Sequence, residues 1–164
     1  MAATMIQVLF VCLGNICRSP MAEAVFTRLV DEAGLAGEID ADSAGTANWH
    51  AGKPADSRTL TVLRQHGIPY TGRSRQIQQQ DLKQFDVIVA MDNENLTDLL
   101  FLDRDRSLNG KLHRLMDFAP ASYPKDVPDP YYNGQFDLVY ELVDAGGRGL
   151  LEHIRKEQGI EANG

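Results

Sequence analysis

The sequence predicts an α/β domain built on an open parallel sheet of about four strands, with helices on both faces. Three observations carry that expectation. Short apolar runs alternate along the chain with stretches of helical length and periodicity. The clearest runs, Ile6–Val11 and Asp86–Met91, are brief and partly β-branched, as strands buried on both faces tend to be. The composition, 43% hydrophobic and 24% charged over 164 residues, is that of one globular domain able to bury about 70% of its unfolded surface.

Each element has a local reason. Ile6–Val11 reads as a central strand. Ser19-Pro20 opens a helix that runs to about Glu32, because proline at the first helical position gives up an N–H that has no partner there, and Gly34 ends it. Ile39–Ser43 is a weaker second strand. Asp56 or Ser57 starts a helix that stops at His66-Gly67. After the Asp86–Met91 strand, Asp92 caps a helix through Leu102, and Lys111–Leu115 gives a fourth strand. Asp117–Gly134, carrying Pro124, Pro128 and Pro130, reads as a long loop. A last helix covers about Gln135–Lys156, its middle weakened by Gly146, Gly147 and Gly149 at roughly 1 kcal/mol each. Residues 1–164 are expected to form a single domain, with loose ends at Met1–Thr4 and Glu161–Gly164.

Charge and cysteine usage exclude several classes. A net charge of −7 argues against general binding to nucleic acid or an anionic membrane. Val8–Leu13 is far too short to cross a bilayer and follows no basic segment, so no membrane attachment is expected. Two cysteines five positions apart staple nothing, which points to a reduced, cytoplasmic setting. They lack the second ligand pair zinc would need, and the histidines are scattered, so no metal and no cofactor is expected.

In open α/β sheets, ligands sit beyond the carboxyl ends of the strands. The first strand ends at Val11, and Cys12-Leu13-Gly14-Asn15-Ile16-Cys17-Arg18-Ser19 follows. A tight strand-to-helix loop turns successive backbone N–H groups toward one spot beside the positive end of a helix dipole. Such a cradle favours the thiolate of Cys12. Arg18 adds a fork able to hold two phosphate oxygens, and Gly14 permits close backbone approach. Neither the Walker spacing nor the dinucleotide glycine pattern is present.

C-x5-R-[ST] after an apolar strand is the signature of protein tyrosine phosphatases, and VCLGNICRSPMAEA resembles the low-molecular-weight branch. Asp42-Ser43-Ala44-Gly45-Thr46 and Asp129-Pro130-Tyr131-Tyr132 match that family in the same order, so the resemblance spans about Ile6 to Ile154. It implies hydrolysis of phosphotyrosine in protein substrates, without a metal, through a phosphocysteine. Cys12 would be the nucleophile, Arg18 the phosphate clamp and Asp129 the general acid and base. Leu13, Gly14, Asn15, Ile16, Cys17 and Ser19 would form the phosphate loop, supported by Ser43 and by His66 as a partner of Asn15. Trp49, Tyr131 and Tyr132 would wall the pocket with Leu13 and Ile16. Cys12 and Cys17 would form a reversible redox pair.

Plainer roles stand beside these. Cys12 and Cys17 could be small buried hydrophobes, Asp129 a turn aspartate before proline, Ser19 a helix N-cap, His66 a helix-end histidine and Trp49 a core residue. Asp56 and Arg58 read as a cap and an early-turn charge. Three other functions compete. An arsenate reductase would need a further cysteine outside the loop, which is missing. A phosphoarginine phosphatase tends to carry Thr at the position of Ile16. A non-catalytic phosphate-binding module would usually have lost Cys12, Arg18 or Asp129. A monomer is expected, with a weak dimer as the alternative.

Overall fold

A computed structural model describes residues 5–160; both expected loose ends lie outside that range. Four parallel strands, β1 (Ile6–Cys12), β2 (Ile39–Gly45), β3 (Val87–Ala90) and β4 (Leu112–Arg114), lie in the order β2-β1-β3-β4. The order reverses between β1 and β3, which makes the crevice beyond their carboxyl ends the place where such sheets take ligands. Cys12 closes β1, and Met91-Asp92 follows β3, side by side at that crevice.

Among the described residues six helices flank the sheet: α1 (Arg18–Glu32), α2 (Ser57–Gln65), α3 (Gln79–Gln84), α4 (Asn93–Leu102), α5 (Pro130–Asn133) and α6 (Phe136–Gln158). They cover both faces, and the alternation of β1 shows how. Val8, Phe10 and Cys12 point into a core shared with α1 and α6, while Leu9 and Val11 point into a second core with Leu82 of α3 and Leu99 of α4. A strand buried on both sides has no polar alternation to show, which is why β1 reads as a continuous apolar run.

Three elements differ from the sequence expectation. The helix α3 is short and polar, yet a reciprocal cap between Gln78 and Asp81 secures its start. The proline-rich stretch contains α5, opened by Asp129 as N-cap with Pro130 in the first turn. The glycines of α6 do not interrupt it. They mark close approach: a Cβ at Gly149 would stand 1.8 Å from the Phe118 carbonyl oxygen, and one at Gly146 would stand 2.7 Å from Leu115 Cγ. A 3-10 turn over Leu115–Phe118 sits where those side chains are missing. The helix trades some intrinsic propensity for that packing.

Candidate active site

The loop from Cys12 to Arg18 is the bridge between β1 and α1, and its strain is concentrated at Asn15. That residue has φ 56°, a left-handed conformation that asparagine adopts more readily than other side chains. The turn brings the Asn15 N–H to 3.3 Å from Cys12 Sγ. The backbone N–H groups of Gly14, Ile16 and Cys17 donate to no protein atom among the described residues. They line a cavity of about 240 Å³ with Cys12, Leu13, Arg18, Trp49, His50, Asp129, Tyr131 and Tyr132. Unpaired donors at a helix start are an anion site.

A chain of hydrogen bonds links the groups around the sulfur. The Asn15 amide oxygen accepts from the Arg75 N–H at 3.0 Å, so its nitrogen is committed as donor, to Ser19 Oγ at 2.8 Å and Ser43 Oγ at 3.0 Å. The Ser43 hydroxyl donates a hydrogen bond to Glu23 Oε1 at 2.6 Å, which also accepts from the Tyr70 hydroxyl at 2.9 Å. Ser19 Oγ, which accepts from Asn15, also lies 3.0 Å from Cys12 Sγ, a contact in which either atom can be the donor. Burial holds the Glu23 carboxyl above its ordinary range despite those two donors. Burial and the neighbouring Glu23 likewise push the Tyr70 phenol up.

Arg18 is 3% exposed, an arrangement that only counter-charges make tolerable. Its Nη1 donates to Asp92 Oδ2 at 2.5 Å and to the Val127 carbonyl at 3.0 Å. Nε and Nη2 donate to no protein group among the described residues, and Asp129 Oδ2 lies 3.7 Å from Nη2. Burial works against the charged guanidinium, but Cys12, Asp92 and Asp129 together hold it more firmly protonated than usual. Asp92 serves twice, since its other oxygen caps α4 by accepting from the Asn95 N–H at 2.7 Å.

The long loop reaches the site because Val127 ties it down, its N–H donating to the Met91 carbonyl at 2.9 Å. Asp129 then caps α5 with Oδ1, leaving Oδ2 toward Arg18. Tyr131 packs edge-on against Tyr132, and Arg58 lies over the rings of Tyr131 and Phe136 at 5.7 and 4.5 Å. Asp56 grips that guanidinium and caps α2, which keeps its carboxyl below the ordinary range. Trp49 stands 66% exposed at the mouth, in a turn rather than in the core. Among the described residues no group of three His, Cys, Asp or Glu side chains is placed to hold a metal ion.

The structure therefore gathers Cys12, Arg18, Asp129, the phosphate-loop residues, Ser43, Trp49, Tyr131 and Tyr132. His66 is a correction. It ends α2 stacked on Tyr140 of α6, with ring centroids 3.7 Å apart, and the partner of the Asn15 amide oxygen is the Arg75 N–H. Asp92, Glu23, Tyr70, Arg75 and His50 escaped the sequence reading. For Asp92 a signal existed, since it follows β3 as Cys12 follows β1, and the two strands are neighbours.

A family model of the low molecular weight phosphotyrosine protein phosphatases matches residues 7–159. The chain belongs to that family. It is 48% identical over 155 residues to the low molecular weight protein-tyrosine-phosphatase YfkJ of Bacillus subtilis, covering 94% of this chain and 99% of that protein. The crystal structure of YfkJ superposes with a TM-score of 0.91, covering 95% and 98% of the two chains. A Streptomyces coelicolor low molecular weight protein-tyrosine-phosphatase is 46% identical, over 92% and 94% of the two chains. The structure of a Drosophila arginine phosphatase matches with a TM-score of 0.84 at 35% identity, covering 90% of this chain and 97% of that one. Family membership thus agrees with the fold and motif resemblance read from the sequence.

Proposed function

We propose that the protein hydrolyses phosphotyrosine in proteins, and aryl phosphates generally, through a phosphocysteine intermediate. The observation that carries this reading is the placement of Cys12 Sγ, the unpaired loop N–H groups and the free donors of Arg18 around one cavity.

In the first step the Cys12 thiolate forms a bond to phosphorus as the tyrosyl oxygen leaves. Asp129 gives its proton to that oxygen. Arg18 and the loop N–H groups hold the three equatorial oxygens, where charge gathers as the phosphoryl group transfers. In the second step Asp129 takes a proton from water, the water oxygen bonds to phosphorus, and the sulfur departs as thiolate. The Ser19 hydroxyl, 3.0 Å from that sulfur, donates to the leaving thiolate.

Depth supports the substrate class. Cys12 is 2% exposed, whereas Tyr132 is 84% exposed at the rim, so a long planar side chain reaches the sulfur and a short one does not. Bulky Ile16 in the wall favours a phenyl ring over a phosphorylated guanidinium. Cys17 adds a redox role: once peroxide has turned Cys12 into a sulfenic acid, the Cys17 thiol condenses with it, releases water and leaves a disulfide that a dithiol reduces. The activity is tested with p-nitrophenyl phosphate and matched phosphotyrosine and phosphoserine peptides in EDTA. Turnover of the first two and neglect of the third is expected; equal turnover of both peptides would contradict the reading.

A further inference from the structure

Beside the catalytic pocket lies a second cleft, of about 350 Å³, lined by Leu13, Thr46, Ala47, Asp98, Phe101 and Leu102. Leu13 forms a wall of both. Positions 98, 101 and 102 share one face of α4 by helical spacing, so that helix presents a carboxylate and two apolar side chains to the same space. Phe101 is 93% exposed, with Leu100 beside it at 55%. Trp49, Tyr131 and Tyr132, which line the neighbouring pocket, are exposed as well. Asp98 makes no ion pair or side-chain hydrogen bond among the described residues. Thr46 contributes a buried hydroxyl that likewise has no partner among them.

We propose that this cleft is a specificity subsite that binds an arginine side chain close in sequence to the phosphotyrosine of a substrate. The inference rests on the phosphotyrosine reading of the neighbouring pocket. A phosphotyrosine seated on Cys12 draws the peptide backbone across the rim, and three extended residues span about 10 Å. A cleft that shares a wall with the pocket falls within that reach. Its chemistry selects one kind of side chain. Apolar walls take an aliphatic stem, the Phe101 ring offers a face to a guanidinium, and Asp98 offers its carboxylate to the tip. A leucine would leave Asp98 unpaired, and a glutamate would face it with like charge. Among the described residues no lysine or arginine lines the cleft to change that balance. The net charge of −7 further favours basic peptides during encounter.

The test is a set of phosphotyrosine peptides in an alanine background, with one arginine walked through the three positions on either side. kcat/KM is measured for the wild-type protein, Asp98→Ala and Phe101→Ala, with p-nitrophenyl phosphate as the control that cannot reach the cleft. Arginine at one favoured position is expected to raise kcat/KM about threefold to tenfold, the order expected of one exposed ion pair plus a cation–π contact. Leucine or glutamate there should not, and added salt should shrink the gain. Both variants should lose the preference while hydrolysing p-nitrophenyl phosphate as the wild type does. Rates indifferent to the flank, a preference that survives both variants, or leucine matching arginine would overturn the subsite alone. A protein that hydrolysed none of the peptides would overturn the phosphotyrosine reading, and this inference with it.

Discussion

Asp92 is the residue whose removal most directly tests how the clamp is built. Its two oxygens do separate work, Oδ1 on the α4 cap and Oδ2 on Arg18. Asparagine keeps an acceptor for the cap but removes the charge; alanine removes both. Arg18 is buried, and stripping one partner from a buried pair costs 3–5 kcal/mol. Asp92 is 18% exposed and Asp129 remains 3.7 Å away as a residual counter-charge, so the low end applies, about 3 kcal/mol for Asp92→Asn. Loss of the cap adds about 1 kcal/mol for Asp92→Ala. With an m-value of about 2 kcal/mol/M, urea midpoints should fall by about 1.5 M and 2 M respectively. A guanidinium freed by even 1 Å should lower kcat/KM on p-nitrophenyl phosphate by roughly 10²-fold in both variants. An Asp92→Asn protein with its midpoint within about 0.3 M and its kcat/KM within about threefold of wild type would refute the idea that Asp92 orients Arg18.

Four further outcomes are expected. Asp129→Asn should slow aryl phosphates with basic leaving groups far more than those with acidic ones, since only the former need a proton as the bond breaks; equal losses across a series of phenols would argue against the acid role. Gly45→Ala places a Cβ 2.7 Å from the Leu13 carbonyl under the phosphate loop, and should cost about 1–3 kcal/mol and displace the loop, whereas Gly37→Ala, with open space around it, should be nearly neutral by urea denaturation. Burial, with Asp56 and Cys12 adding to it, pushes the Cys17 thiol from 9.0 up to about 12. Between those values the native protein keeps a proton the unfolded chain has lost, so stability should fall as pH rises from about 9 toward about 12, and Cys17→Ser should flatten that slope. Cys17→Ser should also make peroxide inactivation largely irreversible by dithiothreitol; full recovery would leave Cys17 as packing only.

What could be read from the chain was local. Cys12, Arg18 and their loop lie within one turn that follows an apolar strand, and strand and helix starts have sequence signals that need no partner. The aspartate of Asp129-Pro130 was legible as a turn residue before proline and as part of a family motif, though not as the cap of α5. What depended on distant pairing was not. The support of Asn15 comes from Ser43 on β2 and the Arg75 backbone, 28 and 60 residues away, and a backbone donor leaves no trace in residue identity. His66 was assigned to that role by resemblance, yet the end of α2 turns it onto Tyr140. The glycines of α6 were read by propensity alone, while their reason is the chain crossing at Phe118. α3 has too few apolar residues to show a period, and only its cap betrays it.

The central claim is that phosphate passes through the sulfur of Cys12. Asp129→Ala slows the water step that needs a base, so mixing it with p-nitrophenyl phosphate and quenching in acid within the first turnover should preserve the intermediate. Mass spectrometry should then find one phosphoryl group per chain, on the peptide carrying Cys12, with a matching burst of nitrophenol. Cys12→Ser should show neither the adduct nor the burst while still binding vanadate through Arg18 and the loop N–H groups. Nitrophenol release with no covalent phosphate at Cys12, or turnover by Cys12→Ser within about tenfold of wild type, would contradict the account.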